Sequence, residues 1–457
     1  MTSSQADTEE QQGPQVLRAL RHRNYRLFFG GQLVSLIGTF LTNTAMIWLA
    51  FTLTKSAGEK ARLIGIVAFA SQIPLFVLGP VAGVWVDRLD RRKVLVVTQT
   101  LSMLQSFVLA FLALRNVITV PQLIGLALLQ GLINSLDIPA RQAFLVEMVD
   151  DRQDLPNAIA LNSTMVHGAR LVGPAAAGIM IAWVGIGWCF LLDGISYIAV
   201  IIALVAMHIQ PRPPRAMASA LQEFREGFRY IIGFKPTRVL LTLLAIFSLS
   251  GVPAMMVMMP IFGAHFGGEK QGAIIFGSLT AASGFGALLG AIRLASRRTV
   301  LGLGRLIALS SIIYSVSIAI FASSTHLWLS LLVMPFAGWG MITSFASANT
   351  ILQTIADDDK RGRVMSFFAM SFMGMLPFGV LISGELATRL SAGQDPIIGA
   401  TRTIWIASAV CLAASIRFWI VLPEVRKIIR PIYVQRGIIS EIAQGLQAAG
   451  APVLTET

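Results

Sequence analysis

Apolar residues run in long blocks from residue 26 to residue 421, separated by short polar or basic segments. Blocks of about twenty apolar residues cross about 30 Å of hydrocarbon as helices. A membrane barrel would instead alternate polar and apolar residues in segments of about ten. The pattern predicts twelve helices, over 26–53, 63–86, 93–114, 119–140, 157–184, 187–207, 239–262, 272–294, 304–323, 326–348, 364–388 and 399–421. The expected fold is therefore an all-α membrane protein, twelve transmembrane helices in two six-helix lobes. Its divisions are an N-terminal segment (1–25), a first lobe (26–209), a linker (210–238), a second lobe (239–423) and a tail (424–457).

The linker opens with Pro211, Pro213 and Pro214, then sets Leu221, Phe224, Phe228 and Ile231 at helical spacing among Arg225, Glu226 and Arg229. That pattern predicts an amphipathic helix lying on a membrane surface. Glycines at 272, 277, 284, 286 and 290 mark the eighth span as one that packs closely against neighbours.

Only 13% of the residues are charged, against about 25% in soluble proteins, which supports the membrane reading. The net charge of +13 would suit a nucleic-acid binder, but its distribution does not. With the N-terminus inside, 27 of the 36 Lys and Arg residues fall on the cytoplasmic side. Seven fall outside (Lys55, Lys60, Arg62, Arg115, Lys270, Arg389, Arg402), and Arg170 and Arg417 lie within spans. The asymmetry follows the positive-inside rule and places both termini on the cytoplasmic side. Residues 1–15 are polar and acidic, a start without the features of a cleavable signal.

Cys189 and Cys411 lie in apolar spans without ligand-like neighbours, so neither a disulfide framework nor a metal site is expected. The sequence carries no G-x-x-x-x-G-K-[ST], H-E-x-x-H or G-x-S-x-G motif. Neither ATP-driven transport within the chain nor enzyme chemistry is expected, and no cofactor is implied.

One loop is more specific. Gly83, Asp87, Arg88, Arg91 and Arg92, within G-V-W-V-D-R-L-D-R-R-K, resemble the helix 2–3 motif of the major facilitator superfamily; the usual later glycine is Asp90 here. A plain stop-transfer loop would need the basic residues but neither Gly83 nor Asp87. The stretches Arg23–Thr39, Asp137–Phe144, Leu155–Ser163, Ala169–Gly178 and Arg361–Ser366 are similar to the enterobactin-exporter and macrolide-efflux branch. The resemblance implies the major facilitator fold and a cytoplasmic gate at the helix 2–3 loop, whose ties to neighbouring helices favour an outward-open state. Gly173, Pro174 and Gly178 resemble the helix 5 motif of the superfamily's exporters, with Ala169 in place of an earlier glycine. An ordinary proline kink is the simpler reading of the same residues.

Charges inside spans are costly and are functional candidates. Arg170 lies midway along the fifth span, with His167 a turn away. Relatives of this superfamily often carry an Arg in helix 4 before a Gln-Gly pair; here Gln130-Gly131 is present but that position is Ala127. Arg170 then either supplies the missing charge, with Asp137 or Asp193 as titratable partner, or ties spans through backbone carbonyls while Asp137 pairs with Arg141. Asp193 and Glu385 also read as interface residues that snorkel, as does Arg417. Asp357–Asp359 read as a solvated loop or as a partner of the helix 2–3 loop.

The expected function is secondary transport: export of a bulky amphipathic small molecule such as a siderophore, macrolide or other drug-like compound, by alternating access with proton antiport. An importer, an uncoupled facilitator or a non-transporting membrane sensor or assembly protein are the alternatives. Expected partners are the substrate, the proton and the lipid bilayer, with the chain a monomer. Asn43, Gln72, Asn134, Asn162, Asn349 and Gln353 are candidate polar cavity liners. Met46, Trp48, Met255, Met256, Met258, Met259, Phe368, Met370 and Met373 suit an apolar cargo or a lipid-facing surface.

Overall fold

The computed structural model describes residues 15–54, 56, 59–149, 151–207, 231, 233–297, 299–357, 360–391 and 395–439. Among them, twelve helices are long and apolar enough to cross a membrane. They are α1 (Arg23–Leu53), α2 (Lys60–Arg88), α3 (Arg91–Leu114), α4 (Val120–Leu145), α5 (Leu155–Trp183) and α6 (Ile186–Ala206), then α7 (Lys235–Gly268), α8 (Gln271–Ala295), α9 (Leu303–Ser323), α10 (Leu327–Ile355), α11 (Arg361–Ser391) and α12 (Pro396–Gln435). Apart from Ile231, the amphipathic linker helix lies outside the described residues. The last helix runs on to Gln435 rather than stopping near residue 421, through Pro423 and Pro431, and its continuation buries Val425, Ile429 and Tyr433 at helical spacing.

Helix boundaries follow local chemistry. The Asp90 carboxylate caps α3 by accepting the Lys93 backbone N–H at 3.2 Å. Thr119 and Gln122 form a reciprocal capping box at the start of α4. The break between α7 and α8 sits at Gly268, whose φ of +62° a residue with a Cβ rarely adopts.

Within the first lobe α1 packs on α5 and α6, α2 on α4, and α3 on α4 and α6; within the second, α10 packs on α8 and α9, and α12 on α9 and α11. Two helices of the second lobe contain a wide π-type turn, Phe247–Gly251 in α7 and Met370–Gly374 in α11, and the two turns meet. Such turns are a recognised cause of local bending.

The lobes meet along two antiparallel pairs, α5 with α8 and α2 with α11. The contacts are closest toward the end away from the α2–α3 loop. A Cβ on Gly178 would lie 2.5 Å from the Ala273 carbonyl, and one on Gly277 2.4 Å from the Pro174 carbonyl. Gly65 and Gly384 face each other in the same way across α2 and α11. Toward the other end, here called the basic end because it carries Arg88, Arg91, Arg92, Arg293 and Arg297, the seam loosens. Cβ atoms on Gly168 and Gly79 would meet nothing within 4 Å.

Candidate substrate path and intramembrane charges

The seam gives the helix 5 residues their surroundings. Gly173 faces α1, where a Cβ would lie 2.5 Å from Phe40 Cβ, whereas Gly178 faces α8 across the lobes. Pro174 lacks an N–H, so the Arg170 carbonyl loses its helical donor. That carbonyl lies 3.1 Å from where Gly284 of α8 would carry a Cβ. Aromatic rings extend the seal: Trp48 stacks on Phe276 at 6.0 Å, and Phe76 meets Phe378 edge-on at 5.3 Å. Near the closed end Glu385 of α11 accepts from Arg389 at 2.8 Å and pairs with Arg62 of α2 at 3.4 Å, so it bridges the lobes.

At the basic end Arg91 and Arg92 of the helix 2–3 loop make contacts within the first lobe. Arg91 pairs with Glu147, after α4, at 2.5 Å. Arg92 donates to the Leu204 carbonyl at 2.7 Å and the Val205 carbonyl at 2.5 Å. A guanidinium there satisfies open carbonyls at the α6 C-terminus and complements its dipole. Gly83, Asp87 and Arg88 fall in the last turns of α2; the side chains at 83 and 87 lie outside what is described. Asp357 pairs with Lys360 at 3.0 Å, the solvated-loop reading; Asp358 and Asp359 are outside the described residues.

Also at the basic end, residues 15–21 form a short helix docked on α5. Asp154, 1% exposed, pairs with Arg21 at 2.7 Å, Arg18 at 3.4 Å and the His22 ring at 2.9 Å. The His22 contact foremost, and then the arginines, hold its carboxyl below the usual carboxylate range.

The buried charges lie inside the first lobe and are organised by α3. Its buried face carries Thr98, Gln99, Ser102, Gln105 and Ser106, while Val97, Leu101, Leu104, Val108 and Phe111 are exposed. In water this would be an inverted helix; in hydrocarbon the polar face must turn inward. Asp137 of α4, 2% exposed, accepts from Thr98 Oγ1 at 2.8 Å and Gln99 Nε2 at 2.7 Å. It also forms an ion pair with Arg141, one turn along α4.

About 12 Å further along α3 by helical rise, Ser106 donates to Asp193 Oδ2 of α6 at 2.9 Å. Asp193 is 1% exposed, so it does not snorkel to an interface. The Thr42 hydroxyl of α1 lies beside the same carboxylate, whose Oδ1 meets no well-aligned donor among the described residues. The backbone of α1 approaches this carboxylate at Gly38, where a Cβ would lie 2.7 Å from Oδ1.

Arg170 does not join either acid. Its guanidinium carbon stands 5.7 Å from the Phe40 ring centroid, and no described carboxylate is within ion-pair distance. His167 Nδ1 is buried without a hydrogen-bond partner among the described residues. The pairing of Arg170 with Asp137 or Asp193 is thus corrected: Asp137 is taken by Arg141, and Asp193 is enclosed by α1, α3 and α6, two acids on helices other than α5.

The polar candidates scatter. Asn134 accepts from Gln130 at 3.1 Å and Asn349 from Gln353 at 3.1 Å. Gln72 donates to its own helix at Ala68, and Asn43 is exposed while Asn162 is half-buried. Met46, Met255, Met258 and Met259 are buried packing residues and Met373 is exposed; Trp48 is buried too, but it lines a cavity of about 880 Å³ with Thr52, Asn116 and Ile181. The polar stripe of α3 was not among the sequence candidates, although its spacing at 98, 99, 102, 105 and 106 is a helical period.

The family described as "transmembrane secretion effector" matches residues 15–427. The chain is 23% identical to the staphyloferrin A transporter of Staphylococcus aureus over 394 residues, covering 85% of this chain and 94% of that one. It is 23% identical to the enterobactin exporter EntS of Shigella flexneri, covering 83% and 88%, and 26% identical to the multidrug efflux pump Tap of Mycolicibacterium fortuitum, covering 77% and 86%. Among solved structures, the nucleoside transporter NupG superposes with a TM-score of 0.67 at 14% identity, over 88% of this chain and 98% of that one. A bacterial homolog of the lysosomal transporter Spinster, inward-facing and unoccupied, gives 0.62 at 14%, over 91% and 98%. With its twelve helices and two-lobed seam, the chain is a multi-pass membrane transporter and belongs to the transmembrane secretion effector family of the major facilitator superfamily.

Proposed function

We propose that this protein exports a bulky amphipathic small molecule, of the siderophore or drug-like class, by alternating access coupled to inward proton movement. The observation that carries the reading is the uneven seam: glycine-to-backbone contacts close one end while the helices part at the basic end. The positive-inside rule makes the basic end cytoplasmic, with both termini there, so this is the inward-open state. Rocking about the α5–α8 and α2–α11 pairs would reverse it, which suits the absence of side chains at those crossings. Release of the Arg62–Glu385 bridge would accompany that motion.

Asp193 is the group we assign to the proton. Among the described residues it is the buried carboxylate without a cation, held by the Ser106 hydroxyl of α3 and faced by Gly38 and Thr42 of α1 and Tyr197 of α6. Asp137, already paired with Arg141, serves structure. Arg170 lies at the last close approach of α5 to α8, beside the point where they part, and offers a cation to an acidic or hydroxylated cargo.

Everted vesicles test the reading with a siderophore and a macrolide as cargoes. The expected outcome is uptake into the vesicles that follows an imposed pH gradient. Asp193→Asn is expected to fold and bind cargo but lose the response to the gradient, and Arg170→Gln to weaken cargo binding. Accumulation of these compounds inside intact cells on expression would overturn export. Gradient-dependent transport by Asp193→Asn would overturn the coupling assignment.

A further inference from the structure

On the outer face of the second lobe, at the basic end, a groove of about 310 Å³ runs between the start of α7 and α12. Lys235, Arg238 and Arg417 line it, and its walls are apolar, among them Ile246, Phe418 and Val421. None of this belongs to the seam between lobes. We propose that the groove is a binding site for an anionic phospholipid, with the phosphodiester between Arg238 and Arg417 and acyl chains along Ile246 and Phe418.

The two helices run antiparallel and their register is set at the mouth, where Lys235 forms an ion pair with Glu424. From there Arg238 lies three residues along α7, about 4.5 Å deeper, and Arg417 seven residues back along α12, about 10 Å deeper. The cations therefore descend as a ladder from the headgroup level toward hydrocarbon. Glu424, the carboxylate at the mouth, is engaged by Lys235, with Lys427 also close. Arg417 is exposed and has no carboxylate within ion-pair distance among the described residues.

Its neighbours on α12 say what that exposed face meets. Ile416, Trp419 and Ile420 are all exposed large apolar side chains. A face of that composition at this depth lies against lipid. An arginine placed there is costly unless it reaches the interface or finds an anion. A phospholipid supplies both requirements at once: a phosphate for the guanidinium, which binds phosphate oxygens through two parallel N–H donors, and chains for the apolar walls. Basic pockets between helices on the positive side of a membrane have this chemistry. A free phosphate would use the cations but leave the apolar walls exposed.

Native mass spectrometry of the full-length protein in detergent, with equimolar dioleoylphosphatidylglycerol and dioleoylphosphatidylcholine, tests this. Wild type is expected to retain phosphatidylglycerol preferentially. Arg238→Gln/Arg417→Gln is expected to lose about thirtyfold of that preference, since each cation near an anionic lipid is worth about a factor of five. Arg417→Lys should keep most of it, and binding of phosphatidylcholine should not change. Size-exclusion elution checks the fold; if the double variant fails to elute as wild type does, exposed Arg417→Gln alone carries the test, with about a fivefold loss expected. An unchanged preference in the arginine variants would overturn the site. So would displacement of phosphatidylglycerol by inorganic phosphate at equal concentration, which marks a free-anion site.

Discussion

The two lobes share an architecture and differ in what they bury. The first lobe encloses Asp137, Asp154 and Asp193 together with buried glutamines on α1 and α3. Among the described residues, every buried polar side chain of the second lobe is a serine or threonine. Many of these hydroxyls are satisfied locally: Ser310 donates to the Leu306 carbonyl at 2.6 Å, Ser315 to the Ser311 carbonyl at 2.9 Å, and Ser415 to the Cys411 carbonyl at 2.8 Å. A hydroxyl that bonds back to its own helix needs no partner from elsewhere, whereas a carboxylate in hydrocarbon does. The lesson is a division of labour, with buried carboxylates in one lobe and a tightly packed core of buried hydroxyls in the other.

Moving a charge to the wrong lobe is the severest way to break that division. Ser315→Asp should prevent folding, because an unpaired carboxylate there costs several kcal/mol, and fluorescence-detected size exclusion should show no monodisperse peak. Next, Arg141→Gln leaves Asp137 with Thr98 and Gln99 as its donors among the described residues. Because Arg141 is itself partly exposed, the expected loss is about 1–3 kcal/mol. Asp137→Asn combined with Arg141→Gln should recover most of it in a thermal-stability assay.

The docked N-terminal segment offers a milder test, read through pH. The Asp154 carboxyl is held low by His22, Arg21 and Arg18. A lowered carboxylate contributes stability that is present above its unfolded value and is lost as pH falls through the folded one. Asp154→Asn should therefore destabilise the protein at neutral pH, and the gap to wild type should close on acidification below the ordinary carboxylate range. A gap that stays constant with pH would show that shape rather than charge is at work. The smallest effect is expected from Glu385→Gln. Its bridge to Arg62 is solvent-accessible, so melting should barely move, while cross-linking between cysteines placed in α2 and α11 should fall.

Much of this was legible beforehand because apolar length and basic asymmetry are properties of single segments. Twelve spans were drawn and twelve are present, although the end of α12 was set too early. The glycines of α8 were marked as contact points, and they face α5 and α10 closely. The candidate site was less legible. Asp193 reads from sequence as a residue near a helix end, since rotation about the helix axis is invisible until α1 and α3 are packed against α6. The methionines of α7 read as facing cargo or lipid for the same reason: an all-apolar helix does not mark its buried side.

By itself the sequence determined that this chain crosses a membrane twelve times, where the positive end lies, and which superfamily it resembles, because each rests on local composition or on contiguous motifs. Only the tertiary structure decided which charges meet. Arg141 takes Asp137 by being one turn away on the same helix, and Arg170 is left facing Phe40. Asp193 is reached by a serine eighty-seven positions distant. In hydrocarbon a buried polar group must find its partner among neighbouring helices, and which helices are neighbours is a property of the packed bundle.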